Sequence, residues 1–202
     1  MRTRNLIYVL AVCAMILSFT NAKAGGGENK FGITAGLNMA NVAGDNASDN
    51  SMKMGLNAGA VVDLGLSDNF SINASVLYSQ MGDQSKASSS NKLNLNYITI
   101  PILAKYRLSS GLNFFAGPYL GFLMSADYKS SAGSVDVKDQ VQSTDFGLHV
   151  GVGFQLEGGL GFNARYGLGL SNLDKSVAGV SPTPSNTNSL IAINVSYMFG
   201  GK

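Results

Sequence analysis

From residue 30 onward, apolar and polar positions alternate with a period of two, the repeat of a β-strand with one face in an apolar environment. In the first run, Phe31, Ile33, Ala35, Leu37 and Met39 alternate with Gly32, Thr34, Gly36 and Asn38. Seven further runs obey the same rule, at 54–64, 70–79, 98–107, 112–125, 146–157, 160–170 and 191–199. Most span 10 to 13 residues, close to what a tilted strand needs to cross a bilayer. No comparable 3.6-residue period occurs after residue 30, so the pattern predicts an all-β chain.

The connections between the runs carry the second signal. They fall at 42–53, 65–69, 82–92, 109–111, 129–144, 158–159 and 171–188, strictly long-short-long-short. An antiparallel barrel with an even strand number places all short turns at one end and all long loops at the other, as outer-membrane barrels do. The prediction is an eight-stranded antiparallel transmembrane β-barrel preceded by a cleaved signal peptide. Both termini then lie on the periplasmic side, with four long loops outside. A soluble barrel would turn the apolar face inward and leave a Gly/Ser/Asn-rich exterior nearly free of charge, a poor soluble surface.

The apolar face is therefore expected to meet lipid, and the Gly/Ser/Asn/Thr face the lumen. Aromatics at the strand ends are expected to form the two interfacial girdles. Phe31, Phe70, Tyr106, Phe114, Phe162 and Phe199 mark the periplasmic rim; Tyr78, Tyr128 and Phe146 mark the outer one.

The first residues have a different character. Arg2 and Arg4 precede an apolar run at 6–19, and Ala22-Lys23-Ala24 precedes Gly25 in the form of a small-x-small cleavage site. The expected organisation is a signal peptide at 1–24, a short tail at 25–29, the barrel at 30–199 and a C-terminal tail at 200–202. Cleavage would remove Cys13, the only cysteine, and with it any disulfide or thiolate chemistry. It would also remove three of the 14 basic residues and none of the 12 acidic ones, turning a net +2 into about −1 and excluding a charge-based case for nucleic acid.

Several blocks also resemble a known family. The run Tyr97-Ile98-Thr99-Ile100-Pro101-Ile102-Leu103-Ala104-Lys105-Tyr106 is similar to a strand signature of the PorT-type outer-membrane β-barrel family of Bacteroidetes. The segments beginning Gly117-Pro118-Tyr119, Asp145-Phe146-Gly147 and Arg165-Tyr166-Gly167 resemble later strands of that family in order and spacing. The acidic residue usual within the first block is Thr99 here. The resemblance implies an outer-membrane location and an eight-stranded barrel, and little about activity.

Candidate chemistry is sparse. His149, the only histidine, falls on the lumenal face, where a bonded structural role is expected; catalysis would need a nucleophile and an orienting carboxylate beside it. The glycines at 151–169 lack the following helix of a phosphate loop and read as space for large lumenal side chains and for curvature. With His149, the lumenal charges Asp63, Lys105, Arg107, Glu157 and Arg165 are expected to form a network bracing a side-chain-filled barrel. A narrow polar conduit lined by the same residues is the alternative. Asp45, Asp49, Asp127, Asp136, Asp139 and Asp145 are expected to be solvated loop carboxylates, without EF-hand spacing. Val152→Arg on the lipid face is expected to impair insertion, and Gly147→Ser on the lumenal face to be far milder.

No metal or cofactor is implied. The expected role is a non-enzymatic structural or surface-interaction barrel acting through its four long loops, with a small-solute channel or an accessory barrel of a secretion or envelope complex as alternatives. Expected partners are outer-membrane lipid, the barrel-assembly machinery during insertion, and a protein or surface partner at the loops.

Overall fold

The structure is a computed structural model, and it describes residues 27–44, 50–86, 88, 90–175 and 186–199. The expected signal peptide with Ala22, Ala24 and Gly25, the tail at 200–202, and Asp45 and Asp49 lie outside these residues.

Among the described residues nine strands form: β1 (Lys30–Ala43), β2 (Asn50–Gly65), β3 (Phe70–Ser85), β4 (Lys92–Arg107), β5 (Leu112–Ser130), β6 (Gly133–Asp136), β7 (Thr144–Gln155), β8 (Leu160–Gly169) and β9 (Thr187–Phe199). All pairings are antiparallel, and eight of the strands close on themselves. The sheet runs β4-β3-β2-β1-β9-β8-β7-β5, and a β4–β5 ladder seals the ring. First and last strands pair from Phe31↔Phe199 to Ala43↔Thr187, so residues 30 and 199 emerge at the same end. The ninth strand, β6, is outside the ring. It folds back on the upper part of β5 through Asp127↔Asp136 to Ser130↔Gly133. The connection read from the sequence as one long loop is thus partly a hairpin.

Short turns gather at the end that carries the termini. Two share one design, Leu108–Gly111 and Leu156–Gly159. In each, the leucine N–H bonds across the turn (Leu108 N to Leu112 O, 2.8 Å; Leu156 N to Leu160 O, 2.8 Å) and the last residue is a glycine at positive φ, 89° for Gly111 and 86° for Gly159. A side chain is strained there, which accounts for glycine at both positions.

The faces are as the alternation predicts, with apolar side chains on the outer surface. Along β4 the outward row reads Tyr106, Ala104, Ile102, Ile100 and Ile98, then changes abruptly to Asn96, Asn94 and Lys92. β3 changes at the same level, from Phe70, Ile72, Ala74, Val76 and Tyr78 to Gln80 and Gln84, with Tyr78 beside Ile98. Nine residues at about 3.3 Å rise and a tilt of about 40° cover about 23 Å, the height of an outer-membrane apolar band.

The strands are longer than the sequence reading allowed. β2, β3 and β4 have 16 residues each and β5 has 19, whereas β7 and β8 have 12 and 10. One side of the barrel therefore rises well above the apolar band. Two irregularities lie in this raised wall, between Met52 and Asn57 of β2 and at Met124, the extra residue between the Asn96–Ser125 and Tyr97–Leu123 pairs. A bulge reverses the phase beyond it. Tyr128 consequently pairs with Leu93 and shares the inward phase of Leu95 and Ala126, not the outward face of a girdle residue.

Candidate functional site

At the turn end of the lumen the charges meet at one carboxylate. Asp63, from β2, is 2% exposed. Its Oδ2 accepts a hydrogen bond from Lys105 Nζ at 2.7 Å and from Arg107 Nη2 at 3.4 Å, both from β4. Between these strands β3 contributes Asn73, directly opposite Asp63, whose Nδ2 donates to Oδ1 at 2.7 Å. Two of the expected partners are thus brought to Asp63. Asn73 was missed as a partner, although its inward phase and the hairpin register place it there.

The other expected members stay apart. Glu157 lies in the Leu156–Gly159 turn, exposed, because the positive-φ requirement at Gly159 sets a four-residue turn that lifts the glutamate out of the strand. It lines an open vestibule of about 730 Å³ at this mouth, with Lys30, Arg107, Gln155 and Met198 among the other walls, and makes no ion pair among the described residues. Arg165 on β8 is buried and has no carboxylate partner among those residues. It borders a separate internal cavity of about 60 Å³, shared with Lys105, Asn113, Asn163 and Asn194.

His149 on β7 is 2% exposed, and neither ring nitrogen has a hydrogen-bond partner among the described residues. Its ring stacks on Tyr119, centroids 4.4 Å apart and planes 18° from parallel. A hydrogen-bonded histidine was expected; a stacked one is found. Among the described residues no nucleophile bonds to either of its ring nitrogens, as a hydrolase pair would require.

Tyr119 leads to a second buried carboxylate. Asp145 is 1% exposed and is not a solvated loop residue. Its Oδ2 accepts from Tyr119 Oη at 3.0 Å and from Asn188 Nδ2 at 2.8 Å, and Ser171 Oγ donates to Oδ1. The same Ser171 Oγ accepts from the Phe146 N–H at 3.1 Å, so the cluster ties β5, β7 and β9 to the start of the β8–β9 loop. Alternation from His149 back through Gly147 gives Asp145 an inward phase, the signal that could have identified it. Gly147 is required by this arrangement. It sits opposite Tyr119, and a Cβ there would approach Tyr119 Cε1 to 2.7 Å and the Leu168 carbonyl oxygen to 2.1 Å. A serine at Gly147 therefore does not fit, against the expectation of a mild effect there.

Above Asp145 the lumen is apolar rather than Gly/Ser/Asn-lined. Met81, Leu95, Tyr97, Leu123, Leu190 and Ala192 form one buried cluster, which Val141 and Leu173 from two loops join. An isolated Val141↔Asp174 bridge links those loops, and Gln142 N donates to Leu173 O at 2.7 Å. Between the two carboxylate clusters runs a polar rung: Asn57 Nδ2 donates to Asn38 Oδ1, and Asn38 Nδ2 to Ser79 Oγ, each at 2.8 Å. Side chains fill the lumen except for the cavity beside Arg165 and the vestibule at the turn end, and the loop end is capped.

The remaining aromatics named from the sequence lie outward and exposed. Phe31, Phe70, Tyr106, Phe114, Phe162 and Phe199 ring the turn end; Tyr78 and Phe146 stand at the other edge of the apolar band. Contacts bind the first ring together, with Phe31–Phe199 centroids 5.4 Å apart and Phe70–Tyr106 5.0 Å. On the raised wall, Lys92 and Lys129 are directly opposite, and with Lys53 they border an outer groove.

The family model for the outer membrane protein β-barrel domain matches residues 21–175. Among solved structures, Ail, the attachment invasion locus protein of Yersinia pestis, is 14% identical with a TM-score of 0.52, covering 85% of this chain and 99% of that one. Neisserial surface protein A is 13% identical with a TM-score of 0.53, covering 84% and 97%. Ail in complex with the heparin analogue sucrose octasulfate matches at 15% identity and a TM-score of 0.53, covering 85% and 99%. No curated protein matches in sequence. At these identities the structural neighbours speak for the fold. With the family match over most of its length and a closed ring carrying its apolar side chains outward, the chain belongs to the outer membrane protein β-barrel domain family, an eight-stranded barrel of the Gram-negative outer membrane.

Proposed function

We propose that this chain is a non-enzymatic barrel whose lumen is sealed and whose work is done at its outer surface, with both termini periplasmic and the long loops outside. The loop-end cap carries this reading. Leu95, Tyr97 and Leu123 fill the bore from the wall, while Val141 and Leu173 close over them from the loops. Hydrophobic closure of this kind leaves no polar path for solute, and Asp63, Asp145 and Asn38 below it are each bonded to neighbouring side chains.

The raised wall of β2–β5 and its β5–β6 hairpin supply the interaction surface. Like charges placed opposite each other are destabilising. The Lys92–Lys129 pair, with Lys53 in the same groove, therefore suits an anionic partner. The Ail complex with sucrose octasulfate is a barrel of this fold holding a sulfated sugar. The sequence blocks at 97–106 and 117–123 support a narrower place in the PorT-type group, for which a protein partner from a secretion or envelope complex would be the anionic surface.

Two measurements on the folded barrel test the reading. In planar bilayers it should produce no reproducible conductance steps, and on immobilised heparin it should be retained and then released by salt, with retention lost in a Lys92→Glu/Lys129→Glu double variant. Steady steps would instead support a narrow conduit fed by the vestibule at the turn end. Passage through heparin without retention, by a demonstrably folded protein, would remove the anionic-partner reading.

A further inference from the structure

Among the described residues, Arg165 is the lumenal cation without a counter-charge. It projects inward from β8 opposite Gly151 and is 7% exposed. Its Nε is enclosed and unpartnered, and its guanidinium makes no hydrogen bond or ion pair among the described residues. Asp63, the one buried carboxylate at this end among those residues, is already engaged by Lys105, Arg107 and Asn73. With Arg107 part-exposed at the vestibule, two buried cations, Lys105 and Arg165, therefore share one buried carboxylate inside a wall whose other side is lipid. Buried charge in such a setting is stable only when paired. Water offers a dipole and hydrogen bonds but does not neutralise the excess.

The cavity beside Arg165 has the chemistry to do so. Lys105 lines it as well, and Asn163 presents an amide whose oxygen is occupied by Asn194 Nδ2 at 3.0 Å, leaving its own N–H groups to donate. The lining thus carries two cationic side chains and no carboxylate, with Asn194 Oδ1 the unpartnered acceptor beside them. Its volume, about 60 Å³, admits a monatomic anion with water and excludes a sugar or peptide. Gln155 and Met198 border both this cavity and the vestibule, so exchange with solvent passes between those two side chains at the turn end. Apolar packing closes the opposite direction.

We infer that the barrel interior contains an anion site, in which the Arg165 guanidinium, assisted by Lys105 and the Asn163 amide, holds a halide-sized ion such as chloride. The site is independent of any partner at the loops and gives the sealed lumen a bound, exchangeable ion drawn from the turn side.

Bromide is the probe. Crystals of the folded chain grown in sodium bromide should show an anomalous peak at the bromine edge inside the barrel, in contact with the Arg165 guanidinium. A map with no peak in this cavity, or with peaks on the outer surface only, overturns the site. In solution, the thermal midpoint of the barrel in detergent should rise with bromide at constant ionic strength. In an Arg165→Gln variant the apparent affinity should fall at least about tenfold, the loss of a charge-assisted hydrogen bond. An unchanged bromide dependence in folded Arg165→Gln also overturns it. Should that variant not fold, the map of the unmodified protein decides alone.

Discussion

Single residues inside this barrel matter through pairing. Asp63 holds two cations and one amide from the neighbouring strands, and a carboxylate so enclosed is a keystone. Asp63→Asn should destabilise the folded barrel by about 3–5 kcal/mol, because it leaves Lys105 buried and unpaired. Urea unfolding followed by the folded-to-unfolded gel shift would measure it. Adding Lys105→Met to that variant should recover part of the loss; additive losses would show the pair uncoupled. The sequence places Asp63, Lys105 and Arg107 on the inward face by phase alone. It could not separate them from Arg165 and Glu157, since phase says which way a side chain points and not its height in the bore. Height depends on strand tilt and stagger, which are properties of the closed ring. Asp145 was misplaced for the related reason that a strand-end aspartate and a solvated loop aspartate look alike in sequence.

At the scale of the strand, alternation was the reliable signal, and it was reliable because one face must meet hydrocarbon. The outward rows of β3 and β4 keep the predicted phase throughout the apolar band. Val150, midway between Phe146 and Phe154 on the outward row of β7, lies near the centre of that band. Val150→Arg should cost about 2–4 kcal/mol and reduce insertion into vesicles. A Val150→Leu control should insert normally; equal behaviour of the two would mean the faces are reversed. Where strands leave the lipid, the sequence becomes ambiguous. Above Ile98 and Tyr78 both faces are mixed, so residues 50–53 of β2, 82–85 of β3, Lys92 of β4, 129–130 of β5 and the whole of β6 fall within the connections read from the sequence. The bulge at Met124 also inverted the phase of Tyr128. Bulges have no period of their own, and only the pairing partner reveals them.

For the molecule as a whole, the decisive feature is closure at the loop end. Val141 and Leu173 are far apart in the chain and come from connections read as polar loops, yet they complete one apolar cluster with five wall strands. Replacing Leu95 and Leu123 together by serine should open a polar path and convert a silent barrel into one with measurable conductance. Continued silence from a folded double variant would locate the barrier lower, at the Asn38–Asn57–Ser79 rung or the Asp63 cluster.

The amino-acid sequence by itself determined that eight strands alternate, which faces meet lipid, and that short turns share one end while longer connections share the other. Each of these follows from local spacing, because a strand's two faces and a turn's glycine are set within a few residues. Only the tertiary structure decided which charges meet, which arginine remains alone, and that the loops seal the bore. Those outcomes depend on the stagger of the closed ring and on contacts between residues distant in the chain, for which a single sequence carries no local mark.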